Sequence, residues 1–205
     1  MEAPADEGAV PARGRGWDRR RTIAAIAGGV LVSGVIALLV IGLVNRDVGT
    51  SIQDALDEGE RPDAPAFTAP VLLAADGIGP VGSDVSLADL SGRTVVLNFW
   101  ASWCEPCESE APILNEVARR YRGRDASVVV LGLDVQDLSE KALAFARDFG
   151  ISYPSLREAG DAAYRDYQLT GLPETFVIDP EGRIALKVVG EVTDPTQLTT
   201  AIDQL

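Results

Sequence analysis

The stretch "LNFWASWCEPCESEAP", Leu97 to Pro112, holds Cys104 and Cys107, the only two cysteines among 205 residues. Two thiols three positions apart, in a chain that otherwise avoids cysteine, require a chemical reason. They are too few for a four-thiolate metal site. A disulfide closing so short a loop would constrain the unfolded chain very little, which weakens the reading as a structural staple.

The flanks give the pair a place. "TVVLNFW", Thr94 to Trp100, is a continuous apolar run of the kind buried in a central strand. "CESEAPILNEVARRY", Cys107 to Tyr121, has helical spacing, so that Ile113, Leu114, Val117 and Tyr121 share a face. Cys104 therefore lies where a buried strand ends and a helix begins. The N–H groups of a helix N-terminus stabilise a thiolate and lower its pKa. Cys107 follows one turn later, within reach of a disulfide with Cys104. A Cys-x-x-Cys after a strand, in a β-α-β setting, is a redox signal. Cys104, at the exposed junction, is the expected attacking thiolate, and Cys107 the resolving thiol.

Further along, "SVVVLGLDV", Ser127 to Val135, reads as a second central strand. "SEKALAFARDFG" reads as a helix with Ser139 as N-cap and Gly150 as its stop. "ETFVIDPEGRIALKVVG" reads as a hairpin turning at Asp179 to Gly182. "DPTQLTTAIDQL" opens a last helix with Asp194 as N-cap and Pro195 in its first position. Two shorter strands are expected near 67–73 and 80–87. This order implies an α/β fold with a mixed sheet covered on both faces.

Composition narrows the chemistry. The formal net charge of -13 disfavours nucleic acid, whose phosphates would be repelled. The chain has no histidine, which removes Ser-His-Asp and Cys-His nucleophile pairs and histidine-based zinc or copper sites. No metal or cofactor is expected, and no flavin or nicotinamide motif is present.

The N-terminal part has its own logic. Thr22 to Val44 contains no charged residue. As a helix it would be roughly 34 Å long, enough for a bilayer core of about 30 Å. The run is longer than the apolar region of a cleaved signal peptide, about 7–15 residues. Arg13, Arg15, Arg19, Arg20 and Arg21 precede it, and only Arg46 closely follows. The positive-inside bias places 1–21 in the cytoplasm, 22–44 across the cytoplasmic membrane as a single-pass signal-anchor, and the remainder outside. Of the 18 basic and 31 acidic residues, five and four lie in 1–45, so the remainder carries 13 and 27. Anionic lipid heads would repel such a domain. The acidic stretch 45–62 suits a linker, with a short surface helix at 51–58 as the other reading.

"FWASWCEPC" with "APILNEVA", and "LTGLPETFVIDPEGRI" later, resemble the landmarks of the thioredoxin superfamily. "SLADLSGRTVVLNFWASWCEPC" and the anchor narrow the resemblance to the TlpA/ResA/CcmG(DsbE)-like branch of membrane-anchored thiol-disulfide oxidoreductases. The resemblance covers about residues 63–205. It implies a thioredoxin-like fold, a central mixed sheet flanked by helices, with an N-terminal β extension, preceded by one transmembrane helix. It implies that Pro173, after Leu172, is the cis-proline that packs against the Cys-x-x-Cys and receives substrate backbone. Thioredoxin has a buried aspartate two residues before the Trp of its first core strand. That position is Asn98 here, which exchanges no proton at ordinary pH. The tethered branch instead places an acid three residues after the second cysteine, Glu110 here, and its cytochrome-maturation members often carry another after the cis-proline, Glu174 here. A carboxylate beside a buried thiol can take its proton. For Glu110 the other reading is a solvated helix residue, and for Glu174 an exposed strand residue. Glu105 and Pro106 lie between the cysteines, Glu105 either tuning the thiol or merely exposed. Trp100 and Trp103 read as core and site-rim packing, with substrate contact as the rival for both.

The function implied is an extracytoplasmic thiol-disulfide oxidoreductase that reduces disulfide-containing exported proteins, foremost the CxxCH segment of apocytochrome c, and that draws electrons from a CcdA/DsbD-like membrane protein. The competing readings are a general reductase or oxidase for other clients, including copper-site maturation of oxidases, and a non-enzymatic copper-carrying module. A peroxidase is disfavoured, because the pattern Pro-x-x-x-Thr-x-x-Cys is absent.

Overall fold

The computed structural model describes residues 51–122 and 127–205, together with 23, 26, 29–30 and 32–37. The chain divides into two compact units, Met1–Gly49 and Thr50–Leu205. In the first, the described residues are helical and exposed. The expected tail at 1–21 and most of the expected span at 22–44 lie outside the described residues. Among the described residues no helix is long and apolar enough to cross a membrane.

The second unit is built on a sheet with seven strands among the described residues: β1 Thr68–Leu73, β2 Asp84–Ser86, β3 Thr94–Trp100, β4 Val128–Val135, β5 Ser155–Glu158, β6 Glu174–Ile178 and β7 Ile184–Val189. Their spatial order is β2-β1-β5-β4-β3-β6-β7. The three central strands β5, β4 and β3 run parallel, and β1, β2, β6 and β7 are added by antiparallel pairing. The helices are α1 Ile52–Asp57, α2 Glu105–Tyr121, α3 Ser139–Asp148, α4 Ala162–Asp166 and α5 Thr196–Ile202. This is the mixed sheet with flanking helices that a thioredoxin-like fold requires.

Strand β3 is buried at every position, which is why its sequence shows no alternation. Its side chains still divide between two cores. Val95, Leu97 and Phe99 join Leu131, Leu133, Phe176 and Tyr167 on one face, with Ile52 of α1 and Ala163 of α4. Val96 joins Leu114 and Val117 of α2 and Leu198 and Ile202 of α5 on the other. Trp100 continues that second face. It stacks on Phe145 of α3 at 5.4 Å and packs with Cys104 and Cys107.

Some expectations need correction. Ser139 does not cap α3: Leu138 holds that position, and no side chain caps the end. The reason is tertiary, because Asp137 is already engaged with Ser102 and the Leu138 amide. Gly150 does end the helix, with a positive φ of 66°. Asp194 is not the N-cap of α5 and Pro195 is not its first helical residue: Pro195 holds the N-cap position, and Asp194, one residue before it, accepts from the Thr196 amide at 2.7 Å. Strand β5 and helix α4 were not anticipated; they have four and five residues. In the expected linker at 45–62, Ile52–Asp57 is the helix α1. It is capped by Ser51 in a capping box with Asp54, and it buries Ile52 and Ala55.

Candidate functional site

Strand β3 ends at Trp100, three residues turn, and Cys104 becomes the N-cap of α2. Pro106 occupies the first turn of the helix, where a missing N–H costs nothing. Cys104 and Cys107 are joined in a disulfide, with Cα atoms 5.4 Å apart. Exposure does not distinguish them, at 3% and 4%, so the expectation that Cys104 alone would stand at an exposed junction is corrected. What distinguishes them is position. Cys104 holds the N-cap position, at the helix end where the first N–H groups lack intrahelical partners, whereas Cys107 is inside the first turn.

Glu110 lies one turn beyond Cys107 and is 1% exposed, so the solvated reading does not hold. Three donors reach its carboxylate: Asn98 Nδ2 at 2.9 Å, the Val192 amide at 3.0 Å and Thr175 Oγ1 at 3.3 Å. Burial pushes its pKa up to about 7, against the pull of those hydrogen bonds and with a smaller upward push from the charge of Glu191. A carboxyl group near the midpoint of its titration can both take and return a proton at neutral pH.

The peptide bond between Leu172 and Pro173 is cis. A groove of about 380 Å³ runs beside it, lined by Leu172, Pro173, Glu105, Pro106, Ser109 and Glu191 among others. Four sequence-predicted residues thus meet at one place, next to the disulfide. Leu172 also packs against the cluster that contains both cysteines. Trp103 is not brought to this groove. It is 58% exposed, donates Nε1 to the Gln136 carbonyl at 3.1 Å, and lines a separate groove with Asp137, Leu138 and Lys141. Trp100, by contrast, is core, at 1% exposure.

Glu174 is buried, so the exposed reading fails for it too, but it is not placed with Glu110. Thr175 pairs with Asn98 and faces Glu110, while its neighbour Glu174 pairs with Phe99 and takes the opposite face of the sheet. There it meets Lys187 Nζ at 3.0 Å.

Residues that sequence reasoning missed surround the turn before the cysteines. Asp137 accepts from the Ser102 amide at 2.5 Å and from Ser102 Oγ at 2.9 Å, tying the turn to the end of β4. Asp134, beside Trp100 in register and 0% exposed, has its pKa pushed up to about 8 by burial first and then by the charge of Asp137. Arg157 opposes the shift from 3.8 Å. The available signal was an aspartate inside an otherwise apolar strand.

The sequence and fold are similar to those of known proteins. A model of the AhpC/TSA family matches residues 61–187. The chain belongs to the AhpC/TSA family. Within it, the chain is 34% identical over 112 residues to the thiol-disulfide oxidoreductase ResA of Bacillus thuringiensis (strain Al Hakam), a match over 55% of this chain and 64% of that protein. Among solved structures, this AhpC/TSA member is similar to a DsbF homologue from Corynebacterium diphtheriae at 33% identity and a TM-score of 0.60, covering 73% of this chain and 90% of that one. It is similar also to a putative thiol:disulfide interchange protein DsbE from Chlorobium tepidum at 28% identity and a TM-score of 0.61, covering 70% and 95%. These neighbours confirm the thioredoxin-like fold.

Proposed function

We propose that this protein is a thiol-disulfide oxidoreductase that reduces disulfides of exported proteins from the outer face of the cytoplasmic membrane. One observation carries the reading: the Cys104–Cys107 disulfide at the N-terminus of α2, beside the Pro173 groove and one turn from the buried Glu110. The similarity to proteins named as thiol-disulfide oxidoreductases supports it.

In the reduced protein the Cys104 thiolate attacks one sulfur of a client disulfide. The client's other sulfur leaves as a thiolate and takes a proton from solvent. Glu110 accepts the proton of Cys107, and the Cys107 thiolate attacks Cys104 Sγ. The client leaves with its second thiol, and the Cys104–Cys107 disulfide forms. Two electrons pass from the protein dithiol to the client, so each cycle consumes one dithiol that a donor must restore. The domain has a single dithiol, so we propose a CcdA/DsbD-like membrane donor.

The client we propose is the CxxCH segment of apocytochrome c, where haem attachment needs both cysteines as free thiols. An oxidising compartment pairs them. The Glu after Pro173 and the resemblance to the ResA/CcmG branch support this client, and the arginines before Thr22 support the tether and its orientation. The test is the reduction potential of the Cys104–Cys107 pair, read with covalent haem in a strain lacking the gene. A potential near thioredoxin's, roughly -270 mV, fits a reductase, and one near roughly -120 mV would make it an oxidase. Loss of c-type cytochromes that added thiol reductant restores fits the client. Normal covalent haem would overturn it.

A further inference from the structure

We infer that Glu174 is a positioning residue for the client groove, locked by Lys187, and not a proton carrier. The inference rests on the oxidoreductase reading above.

Glu174 and Lys187 are diagonal neighbours on one face of the β6–β7 ladder, since Glu174 pairs with Val189 and Lys187 with Phe176. Their side chains are 0% and 4% exposed, and Oε2 and Nζ lie 3.0 Å apart. The ammonium is further engaged by the Gln168 carbonyl at 3.2 Å and by the face of Phe176 at 5.3 Å. A proton moved onto this carboxylate would leave a buried ammonium without its counter-charge. The thiols and Glu110 lie on the opposite face of the sheet. Neither charge nor direction suits Glu174 to serve Cys107.

The other carboxylate oxygen is used differently. Oε1 accepts from both the amide and the hydroxyl of Thr170, each at 2.7 Å. Residues 168–172 are thereby folded down onto Glu174, and they lead directly into Leu172 and Pro173, the edge of the groove. Gln168 stands at a positive φ of 53°, unusual for a residue with a side chain. Two contacts hold it there: its carbonyl binds Lys187, and its Oε1 accepts from the Ile52 amide at 3.0 Å. The clamp thus joins helix α1, the loop and the groove edge, with the Glu174–Lys187 pair at its centre.

The test uses the full chain, reduced beforehand, in single-turnover reduction of a disulfide-bonded peptide containing a CxxCH segment. Rate is followed against peptide concentration and against pH. With Glu174→Gln, a displaced groove edge should raise the half-saturating peptide concentration about tenfold, with the maximal rate kept within about twofold. The pH–rate profile should keep its shape. The double variant Glu174→Gln/Lys187→Met removes the pair whole and with it the hold on Gln168, so half-saturation should stay raised about tenfold although no buried charge is left unpaired. A flattened pH profile in Glu174→Gln, or half-saturation within about threefold of the parent in the double variant, would overturn the inference. A parent chain unable to reduce the peptide would instead sink the oxidoreductase reading itself.

Discussion

Asn98 on β3 donates its side-chain amide to the Glu110 carboxylate on α2 across 2.9 Å, with both residues 1% exposed. The same amide donates to Thr175 Oγ1 at 3.0 Å, and that hydroxyl reaches the other Glu110 oxygen. An amide here can only hold and orient the acid, so the proton chemistry of this pocket falls to Glu110 alone. Its donors favour the charged form and its burial the neutral one, and the balance sits at about 7.

Glu110→Gln keeps the size of the side chain and removes its titration. The rate at which Cys107 resolves the mixed disulfide with a client should fall by about 10²-fold near neutrality, the scale of general acid–base help. The rate rise of the parent between pH 6 and 8 should flatten as well. Stopped-flow tryptophan fluorescence during oxidation, across that range, measures both. A parent-like pH profile in the variant would remove Glu110 from the mechanism.

The two cysteines are equally buried, so the assignment of nucleophile rests on the helix N-cap. Cys107→Ala should accumulate a mixed disulfide through Cys104, seen as a reducible higher-mass band with a client or with a thiol reagent. Cys104→Ala should accumulate little. The opposite pattern would make Cys107 the nucleophile.

Much of this was legible from sequence where one local force dominated. Thr94–Trp100 was bounded correctly because a strand buried on both faces must be apolar throughout. The Asp179–Gly182 turn was legible from its residue types, and the structure closes it with a Gly182 amide to Asp179 carbonyl bond. What escaped was long-range. Strand β5 is only Ser155–Glu158, and its pairing with both β4 and β1 decides it, not its own pattern. Ser139 looked like a cap, but Asp137 is drawn across 35 positions to Ser102 and resets the helix start. Lys187 carries no sequence mark that it faces Glu174, because the pairing depends on hairpin register.

Gly132 tests how tightly the turn before the cysteines is packed. A Cβ there would meet Ser155 Oγ and lie 2.7 Å from Trp100 Nε1. Trp100 is stacked on Phe145 and cannot swing away without disturbing the cluster around both cysteines. Gly132→Ala should therefore destabilise the domain by about 1–3 kcal/mol, the usual cost of overpacking a well-filled core. Urea unfolding followed by tryptophan fluorescence measures it, and an unchanged midpoint would show that the core yields there.

The two buried acids, Glu110 and Asp134, make stability depend on pH in the same direction. Glu110 and Asp134 have their pKa values raised from 4.5 to about 7 and from 3.8 to about 8, in both cases first by burial. Between the unfolded and folded values, the folded chain holds a proton that the unfolded chain has released. The slope of stability against pH is then negative, so the contribution is whole below about pH 4 and is lost as pH rises through 7 to 8. Each pH unit of that window costs about 1.4 kcal/mol per group, which makes the total several kcal/mol by pH 8. Glu110→Gln and Asp134→Asn each remove one such group. Relative to the parent, each variant should therefore gain stability at pH 8 compared with pH 5, by an amount on the order of 2–4 kcal/mol. Urea midpoints of the parent and both variants at the two pH values decide it. A constant offset between variant and parent at both pH values would mean that neither carboxyl group enters the fold neutral.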